Sequence, residues 1–324
     1  MTTPAPATGV WFFPDRPTSE LVDAIVHAER LGLDEVWLGD EGPAREPFTV
    51  LAMAAVRTER IRLASGITNP YVRHPGIAVA SAATIAEVAG DRVVLGVGAG
   101  GAMSLAPFEL AAERPVDAVR AFVEVARAAR DRRAVPGHVP SDLAVAPVAP
   151  AVPVFIGARG PRLNRLASDI ADGVFVAGMP PFRYDEVVGW ARSARPVDVA
   201  LYPSVALDEA GRERHRPEMI WSLLDAPPAL AQRFGLEAEA VADAAAAMRT
   251  GDRRPATALI GDDLLDELML VGPPDVVGRR LAGLVREHGP TSIGLALIAD
   301  DLPATIELAA EAFEVMRAEL GSRP

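Results

Sequence analysis

The sequence predicts a closed (β/α)8 barrel, and three observations support this fold class. Short apolar runs rich in β-branched residues alternate along the chain with amphipathic stretches of helical periodicity. The apolar runs lack a polar face, which is typical of parallel strands covered by helices on both sides. Eight such strand-and-helix units fit into the 324 residues, and that number favours a barrel over an open doubly wound sheet.

The predicted strands are bounded by charged residues, glycine or proline. A run such as SIGLALI is apolar along almost its whole length, which indicates a strand buried on both faces. In chain order the strands cover residues 9–15, 34–40, 60–67, 92–98, 154–157, 173–177, 197–207 and 292–298.

The predicted helices follow most of these strands. Thr18 or Ser19 caps the first helix, and Gly32 ends it. Residues 134–152 are rich in proline, valine and alanine without a period, and they predict a loop. The helices cover residues 19–31, 47–57, 76–89, 114–131, 162–171, a segment ending at 194, and residues 274–288 and 304–320.

One segment is longer than a connection between two elements of a barrel requires. Residues 208–275 separate the seventh strand from the helix near 274–288. Within that segment, residues 237–248 are rich in alanine and therefore have a strong helical propensity. We expect one barrel domain over residues 1–324 with a helical insertion at 208–275, which serves as a lid or as an oligomer contact.

Composition excludes several classes of protein. Half of the residues are hydrophobic and 23% are charged, which is a globular balance. The absence of cysteine excludes disulfides, thiolate metal sites and cysteine nucleophiles. A net charge of -12 argues against nucleic-acid binding. The sequence contains neither a signal-peptide pattern nor a long uncharged apolar run, so we expect a cytoplasmic protein without a membrane segment.

The functional residues of such a barrel lie where its strands end. Asp15 follows the first predicted strand, and Asp40 and Glu41 follow the second. These two carboxylates are either acid–base groups or plain turn residues. Glycine is frequent after strands three to six, where it allows a ligand to approach the backbone or simply makes a tight turn. The segments concerned are residues 65–69, 98–101, 157–160 and Gly178.

Other motifs favour structural roles. The stretch GVGAGG at residues 96–101 matches G-x-G-x-x-G, but two prolines follow and the next helix begins late, which disfavours a dinucleotide site. No G-x-S-x-G elbow is present. We expect His74 to make a helix-entry hydrogen bond, and Arg73 to bind a ligand anion or a local carboxylate. The remaining histidines have no metal-ligand spacing or carboxylate cluster, so no metal site is expected; they are His27, His138, His215 and His288.

Three segments resemble the luciferase-like monooxygenase superfamily, in particular its branch that uses the deazaflavin coenzyme F420 and includes proteins similar to methylenetetrahydromethanopterin reductase. The resemblance is good over residues 9–178, resumes weakly at 270–285 and is poor over 208–263. The segments are GLDEVWLGD at 32–40, SGITNPYVRHPGIAVASAATIAEVAGDRVVLGVGAG at 65–100, which is the most specific, and PVFIGARGPRLNRLASDIADGVFVAG at 153–178.

The resemblance implies a cofactor at the carboxyl ends of the strands. It implies a non-prolyl cis peptide between Gly66 and Ile67 against the deazaflavin ring, Thr68 and Asn69 at the ring edge, and Asp40 nearby. The other cofactor contacts that it implies follow strands four to six, and the strand-five segment holds the phosphate. They are Gly98, Ala99, Gly100, Gly157, Ala158, Arg159, Gly160 and Gly178.

Two positions depart from this family pattern. Glu41 follows Asp40 where many deazaflavin members have histidine, and Gly101 stands where the sugar-phosphate dehydrogenase branch has glutamate. Sugar-phosphate oxidation is therefore not expected.

Our leading hypothesis is an F420-dependent oxidoreductase, more a reductase than a dehydrogenase. It would move a hydride between C5 of the deazaflavin and a small organic substrate. Asp40 or Glu41 would relay a proton. We expect an apolar pocket lined by Phe12, Phe13, residues 101–112, residues 179–182 and the insertion.

Two alternatives remain open. One is an FMN-dependent monooxygenase of the same superfamily, supplied with reduced flavin by a partner reductase. The other is a non-catalytic ligand-binding barrel, suggested by the two departures from the family pattern. Because this family often dimerises through its barrel helices, we also expect a homodimer.

Overall fold

Eight parallel strands close into a barrel, which confirms the predicted fold class. The computed structural model describes residues 5–139, 152–224 and 228–321. Around the barrel the strand order is β1-β10-β7-β6-β5-β4-β3-β2. These strands are β1 Ala7–Phe12, β2 Glu35–Leu38, β3 Arg62–Ser65, β4 Val93–Gly98, β5 Val154–Gly157, β6 Gly173–Ala177, β7 Asp198–Tyr202 and β10 Ser292–Ala296, with two short strands outside the barrel, β8 Val205–Ala206 and β9 Leu270–Val271.

Helices surround this barrel, and several of them begin at a proline, whose fixed φ and missing N–H suit the first turn. The helices that pack on the barrel are α1 Thr18–Arg30, α2 Pro47–Ala55, α3 Pro75–Ala89, α5 Pro115–Arg130, α6 Pro161–Ile170, α7 Tyr184–Ala191, α14 Pro274–His288 and α15 Leu302–Gly321. A short helix, α4 Ala102–Leu105, follows β4. The ring of His74 accepts a hydrogen bond from the Gly76 amide at the start of α3, which confirms the predicted helix-entry role. None of the helices in the described ranges is long and apolar enough to span a lipid bilayer.

Aromatic rings fill the inside of the barrel. Trp37 stacks on Phe175 with ring centroids 4.0 Å apart, and Tyr202 packs beside Phe175. Below them the buried Glu35 accepts hydrogen bonds from the Tyr202 hydroxyl at 2.6 Å and from Arg62 at 3.0 Å. A buried carboxylate is tolerated when it has such partners. Since Glu35 begins β2, this buried hydrogen-bond network lies at the amino-terminal end of the barrel interior.

The seventh strand is shorter than the sequence predicts. Residues 197–207 do not form one strand: β7 ends at Tyr202, and after Pro203 the chain continues as β8, which pairs with β9 instead of a barrel strand. Proline cannot donate a ladder hydrogen bond, and this explains the break. The helices between β8 and β9 lie within residues 208–275, the segment for which the sequence predicts a helical insertion. They are α8 Glu209–His215, α9 Ile220–Leu224, α10 Pro228–Arg233, α11 Ala238–Arg249, α12 Arg254–Leu259 and α13 Asp262–Leu268.

The insertion has a hydrophobic core of its own, to which α9, α11 and α13 contribute Ile220, Val241 and Leu265. The Arg216 guanidinium links the first and last helices of the insertion, because it forms ion pairs with Glu213 in α8 at 2.6 Å and with Asp262 in α13 at 2.7 Å. A hydrogen bond of 3.0 Å from the Ser222 hydroxyl to the Gly178 carbonyl links the insertion to the end of β6.

Other differences from the sequence prediction are local. The strands end two or more residues earlier at β1, β2 and β3 than predicted, and the next residues are Phe13-Pro14, Gly39 and Gly66. Proline and glycine commonly end a strand. Residues 102–108, where no helix is predicted, contain α4 and a short 3-10 helix. Of the predicted loop at 134–152, residues 140–151 lie outside the described part of the chain.

His215 should make the protein sensitive to acid. Its side chain is buried at 1% exposure in α8; Nδ1 lies 2.9 Å from the Gly211 carbonyl, and Nε2 has no partner among the described residues. Burial lowers the pKa of His215 to about 4. The unfolded chain, with an ordinary histidine pKa, binds this proton first as pH falls. The contribution of His215 to stability is therefore complete above about pH 6.5 and is lost towards pH 4, by up to about 3 kcal/mol.

The measurement is a series of urea unfolding curves between pH 7.5 and 4.5. His215→Asn keeps a donor for the Gly211 carbonyl but cannot titrate, so its unfolding free energy should fall less over this range than that of the wild type. Equal losses in both proteins would show that His215 does not contribute.

Candidate active site

The third strand ends in a bulge at the carboxyl end of the barrel. The peptide bond between Gly66 and Ile67 is cis, as predicted. The indole N–H of Trp11 donates to the Gly66 carbonyl, and the Gly66 amide donates to the Leu38 carbonyl at 2.7 Å. Hydrogen bonds from β1 and to β2 therefore hold the bulge in place.

The position of the Ile67 side chain explains why two of the predicted site residues are glycines. A Cβ atom on Gly98 would lie 2.1 Å from Cδ1 of Ile67, and one on Gly157 would lie 2.2 Å from the same atom. Gly98 and Gly157 thus make room for the Ile67 side chain. Their contribution to a ligand site is indirect, through the position of the bulge.

Thr68 and Asn69 offer polar groups that the fold does not use. Both residues are buried, with exposures of 0% and 1%. The Asn69 side-chain oxygen accepts from the amides of Tyr71 and Val72, at 3.1 Å each, which fixes its orientation. The hydroxyl of Thr68 and the side-chain nitrogen of Asn69 have no hydrogen-bond partner among the described residues. Since leaving a buried polar group unpaired costs about 1–3 kcal/mol, the two groups indicate a ligand with polar atoms.

The Asp40 carboxylate forms an ion pair with the Arg73 guanidinium. Asp40 is buried, and its carboxylate lies 3.4 Å from Arg73, which also contacts Glu46 at 2.9 Å. The Arg73 guanidinium lies over the Phe48 ring, 4.8 Å from its centre. Of the two roles that the sequence left open for Arg73, the structure shows the contact with local carboxylates.

Glu41 has a different environment. The Ser104 hydroxyl, in α4, donates to Oε2 of Glu41 at 2.5 Å. Burial raises the pKa of Glu41 to about 7; the Ser104 hydrogen bond lowers it, the charge of Asp40 raises it, and Arg159 lowers it. A carboxyl group with this pKa can give or take a proton near neutral pH, which is the property of a general acid or base.

The strand-five segment is shaped by a residue that the sequence analysis missed. The side-chain amide of Asn164, fully buried in α6, donates to the carbonyls of Ala158 at 3.3 Å and Gly160 at 2.9 Å. The Ala158 amide donates to the Phe175 carbonyl, so it is not available to an anion. Arg159 is partly exposed and Gly160 is exposed at the amino end of α6, where a phosphate would be favoured.

Two further glycines have the conformation that only glycine adopts easily. Gly100 and Gly178 have φ angles of 72° and 63°. Leu105 packs against Gly100, and Ala99 lies partly exposed between Gly98 and Gly100.

Some residues that the sequence analysis places at the pocket or at a strand end have other surroundings in the structure. Phe12 and Met179 are buried in the core between strands and helices, so they do not line a pocket; Phe13 packs instead beside Trp11, with centroids 4.5 Å apart. Phe182 is about half exposed and lines a groove of about 620 Å³ beside the insertion. Asp15 pairs with its neighbour Arg16.

The expectation that no histidine lies in a carboxylate cluster was wrong for His288. Its ring nitrogens lie 3.3 Å from Asp185 and 3.8 Å from Glu287. The Asp185 contact joins α7 to α14, and sequence spacing does not predict a contact between two helices; Glu287 is the neighbour of His288 within α14.

Comparison with known proteins assigns the family. The model of the luciferase-like monooxygenase family matches residues 3–292. The chain belongs to the luciferase-like monooxygenase family. This confirms the resemblance that the three sequence segments predicted.

Individual relatives match between about two thirds and nearly all of this chain. It is 27% identical to 5,10-methylenetetrahydromethanopterin reductase of Archaeoglobus fulgidus over 321 residues, which cover 93% of this chain and 96% of the relative. It is 29% identical to F420-dependent glucose-6-phosphate dehydrogenase of Nakamurella multipartita over 246 residues, 68% of this chain and 72% of the relative. The coenzyme F420-dependent tetrahydromethanopterin reductase from Methanopyrus kandleri superposes with a TM-score of 0.81 and 26% identity, covering 95% of this chain and 98% of that structure.

Proposed function

We propose that this luciferase-like protein is an F420-dependent oxidoreductase that works as a reductase on a small organic substrate. The observation that carries the proposal is the β3 bulge, where the cis peptide is followed by two buried polar groups, on Thr68 and Asn69, that have no hydrogen-bond partner in the described part of the chain. The end-to-end similarity to a reductase named for this coenzyme, and the similarity over 68% of the chain to a dehydrogenase named for it, support the choice of cofactor.

The residues present fit a ring system with polar edges and a phosphate. Thr68 and Asn69 would hydrogen-bond the ring, and Arg159 with Gly160 at the start of α6 would hold the phosphate. Ala99, Gly100 and Gly178 would border the cofactor, while Gly66, Ile67, Gly98, Gly157 and Ala158 shape its cradle. When bound, reduced F420 supplies a hydride from C5.

Glu41 is the residue of this chain that we assign to proton transfer. Its neighbour Asp40 is bound to Arg73, whereas Glu41 contacts a neutral hydroxyl and keeps a pKa of about 7. At neutral pH a large share of Glu41 is therefore protonated and can give this proton to a substrate that receives a hydride. Asp40 contributes a fixed negative charge beside it.

The surroundings favour an apolar substrate. Phe108, Leu110 and Phe182, in the segments that follow β4 and β6, are each more than 40% exposed. Exposed large apolar side chains commonly contact a ligand or partner. The groove that Phe182 lines has charged walls, which include Arg233, Asp266 and Arg280, so Phe108 and Leu110 carry this inference.

The test is a parallel fluorescence titration of the purified protein with F420 and with FMN. We expect micromolar binding of F420 and much weaker binding of FMN. Oxidation of reduced F420 is then followed by absorbance against a panel of unsaturated carbonyl compounds and imines. Preferred binding of FMN, with oxygen consumption in the presence of reduced FMN, would instead establish a monooxygenase. Tight F420 binding without turnover of any compound would favour the non-catalytic barrel.

We also propose that the protein forms a homodimer through α2 and α3. These helices carry almost no charge, and they expose Met53, Val56, Ile77 and Val88 at 44%, 70%, 58% and 59%. Sedimentation velocity at micromolar concentration should show a dimer. Val88→Arg should shift the protein to monomer, whereas Val139→Arg, at a valine with 79% exposure outside these helices, should not. A monomeric wild type would contradict the proposal.

A further inference from the structure

Glu41 is joined to a distant part of the chain by a single short contact. Its partner Ser104 is 63 residues away in sequence and is 6% exposed. The amides of Ser104 and Leu105 both donate to the Gly101 carbonyl at 3.1 Å, and Leu105 packs against Gly100. The Ser104 hydroxyl is thus fixed by the turn that leaves β4, and it is not a freely rotating surface group.

The geometry of this contact distinguishes the two oxygens of Glu41. The serine hydroxyl donates to Oε2 at 2.5 Å, a length typical of a bond to a carboxylate oxygen. An oxygen that already accepts this hydrogen bond is the poorer place for the acid proton, so the proton of the neutral carboxyl lies on Oε1. When this proton leaves, the electron pair of the O–H bond stays on the carboxylate, and the same serine hydrogen bond stabilises the charge that results.

We propose that Ser104 is a positioning residue: it holds Glu41 by Oε2 and so assigns the transferable proton to Oε1. The assignment to catalysis rests on the proposed function. The contact itself, and its effect on the titration of Glu41, do not depend on any cofactor.

The first experiment is a carboxyl ¹³C NMR titration of glutamate-labelled protein without cofactor. The Glu41 signal is assigned by its loss in Glu41→Gln. We expect a midpoint near pH 7 in the wild type, a midpoint higher by about 1–2 pH units in Ser104→Ala because the carboxylate loses a hydrogen bond, and recovery in Ser104→Thr. Ser168→Ala is the control and should leave the Glu41 midpoint unchanged. It also removes a buried hydroxyl: Ser168 lies in α6, and its hydroxyl accepts a hydrogen bond from the Ala194 amide at 2.8 Å.

The second experiment measures turnover of the substrate that the F420 screen identifies. Ser104→Ala should lower kcat about tenfold with little change in KM, move the inflection of the pH profile upward, and add no loss in a Glu41→Gln background. Ser104→Thr should restore most of the rate.

The outcomes distinguish failure of the positioning role of Ser104 from failure of the proposed F420-dependent function. An unchanged Glu41 midpoint in Ser104→Ala overturns the positioning role, as does a moved midpoint with unchanged kcat and pH profile. Failure of the proposed function is different: wild-type protein does not bind F420, while the serine variants still move the Glu41 midpoint.

Discussion

Replacement of Glu41 by glutamine should lower kcat for substrate reduction at least about 100-fold, the usual minimum for a lost general acid. Glutamine preserves the size of the side chain and an oxygen that can accept from the Ser104 hydroxyl 2.5 Å away, but it has no proton to give. Affinity for F420, measured by fluorescence, should change little, because Glu41 is not among the groups that we assign to cofactor binding.

The pH dependence gives a second check of this role. If the protonated form of Glu41 is the active one in reduction, the rate is constant below about pH 7 and falls tenfold per pH unit above it. Asp40→Asn is the matched control. It removes the neighbouring charge that raises the pKa of Glu41, so the inflection should move to lower pH while most of the activity persists. If Glu41→Gln retains wild-type turnover and profile, proton transfer by Glu41 is excluded.

The same substitution should stabilise the fold at alkaline pH. The folded pKa of Glu41, about 7, lies above its unfolded value, so its contribution is favourable at low pH and is lost as pH rises through 7. Above pH 7 the folded protein carries the free-energy cost of an ionised, buried carboxylate. Glu41→Gln removes that cost, so its unfolding free energy at pH 8 should exceed that of the wild type by up to about 3 kcal/mol. A variant that is more stable but inactive is the pattern expected for a functional residue, and urea unfolding at pH 5 and pH 8 would measure it.

The positions of most site residues could be predicted because barrel geometry collects all strand ends at one face. Apolar runs that stop at Asp40, at Thr68 or at the glycines after β4 locate those ends in the sequence alone. The cis peptide, in contrast, was predicted only through the family resemblance, since the residues Gly66 and Ile67 do not require it by themselves.

Which face of a strand points inward could not be predicted. In β1 both alternating sets are apolar, Val10 with Phe12 and Trp11 with Phe13, so periodicity does not distinguish the interior from the helix-facing side. Ser104 and Asn164 were missed for another reason. Their partners are a side chain on another loop and two backbone carbonyls, and neither leaves a spacing motif.

The largest loss of stability should follow from Gly96→Ala. A Cβ atom on Gly96 would lie 2.2 Å from the Ser65 carbonyl oxygen and 2.9 Å from Cγ2 of Ile67. The first clash is with backbone, so rotation of a side chain cannot relieve it, and β3 and β4 must separate. This separation would weaken the hydrogen bonds that join Ser65 to Gly96 and the Thr68 amide to the Gly96 carbonyl.

We expect Gly96→Ala to lose about 3 kcal/mol or more of unfolding free energy in urea, and to lose F420 affinity because Thr68 and Asn69 move with the bulge. Gly101→Ala is the matched control, since nothing lies within 4 Å of a Cβ atom there and the change should stay within about 0.5 kcal/mol. Equal stability of the two variants would show that β3 and β4 can separate at little cost. In that case the lack of side chains on the glycines of β4 could not be what fixes the bulge, and its position would have to depend on backbone and Trp11 hydrogen bonds, among them those to Leu38 and Gly96.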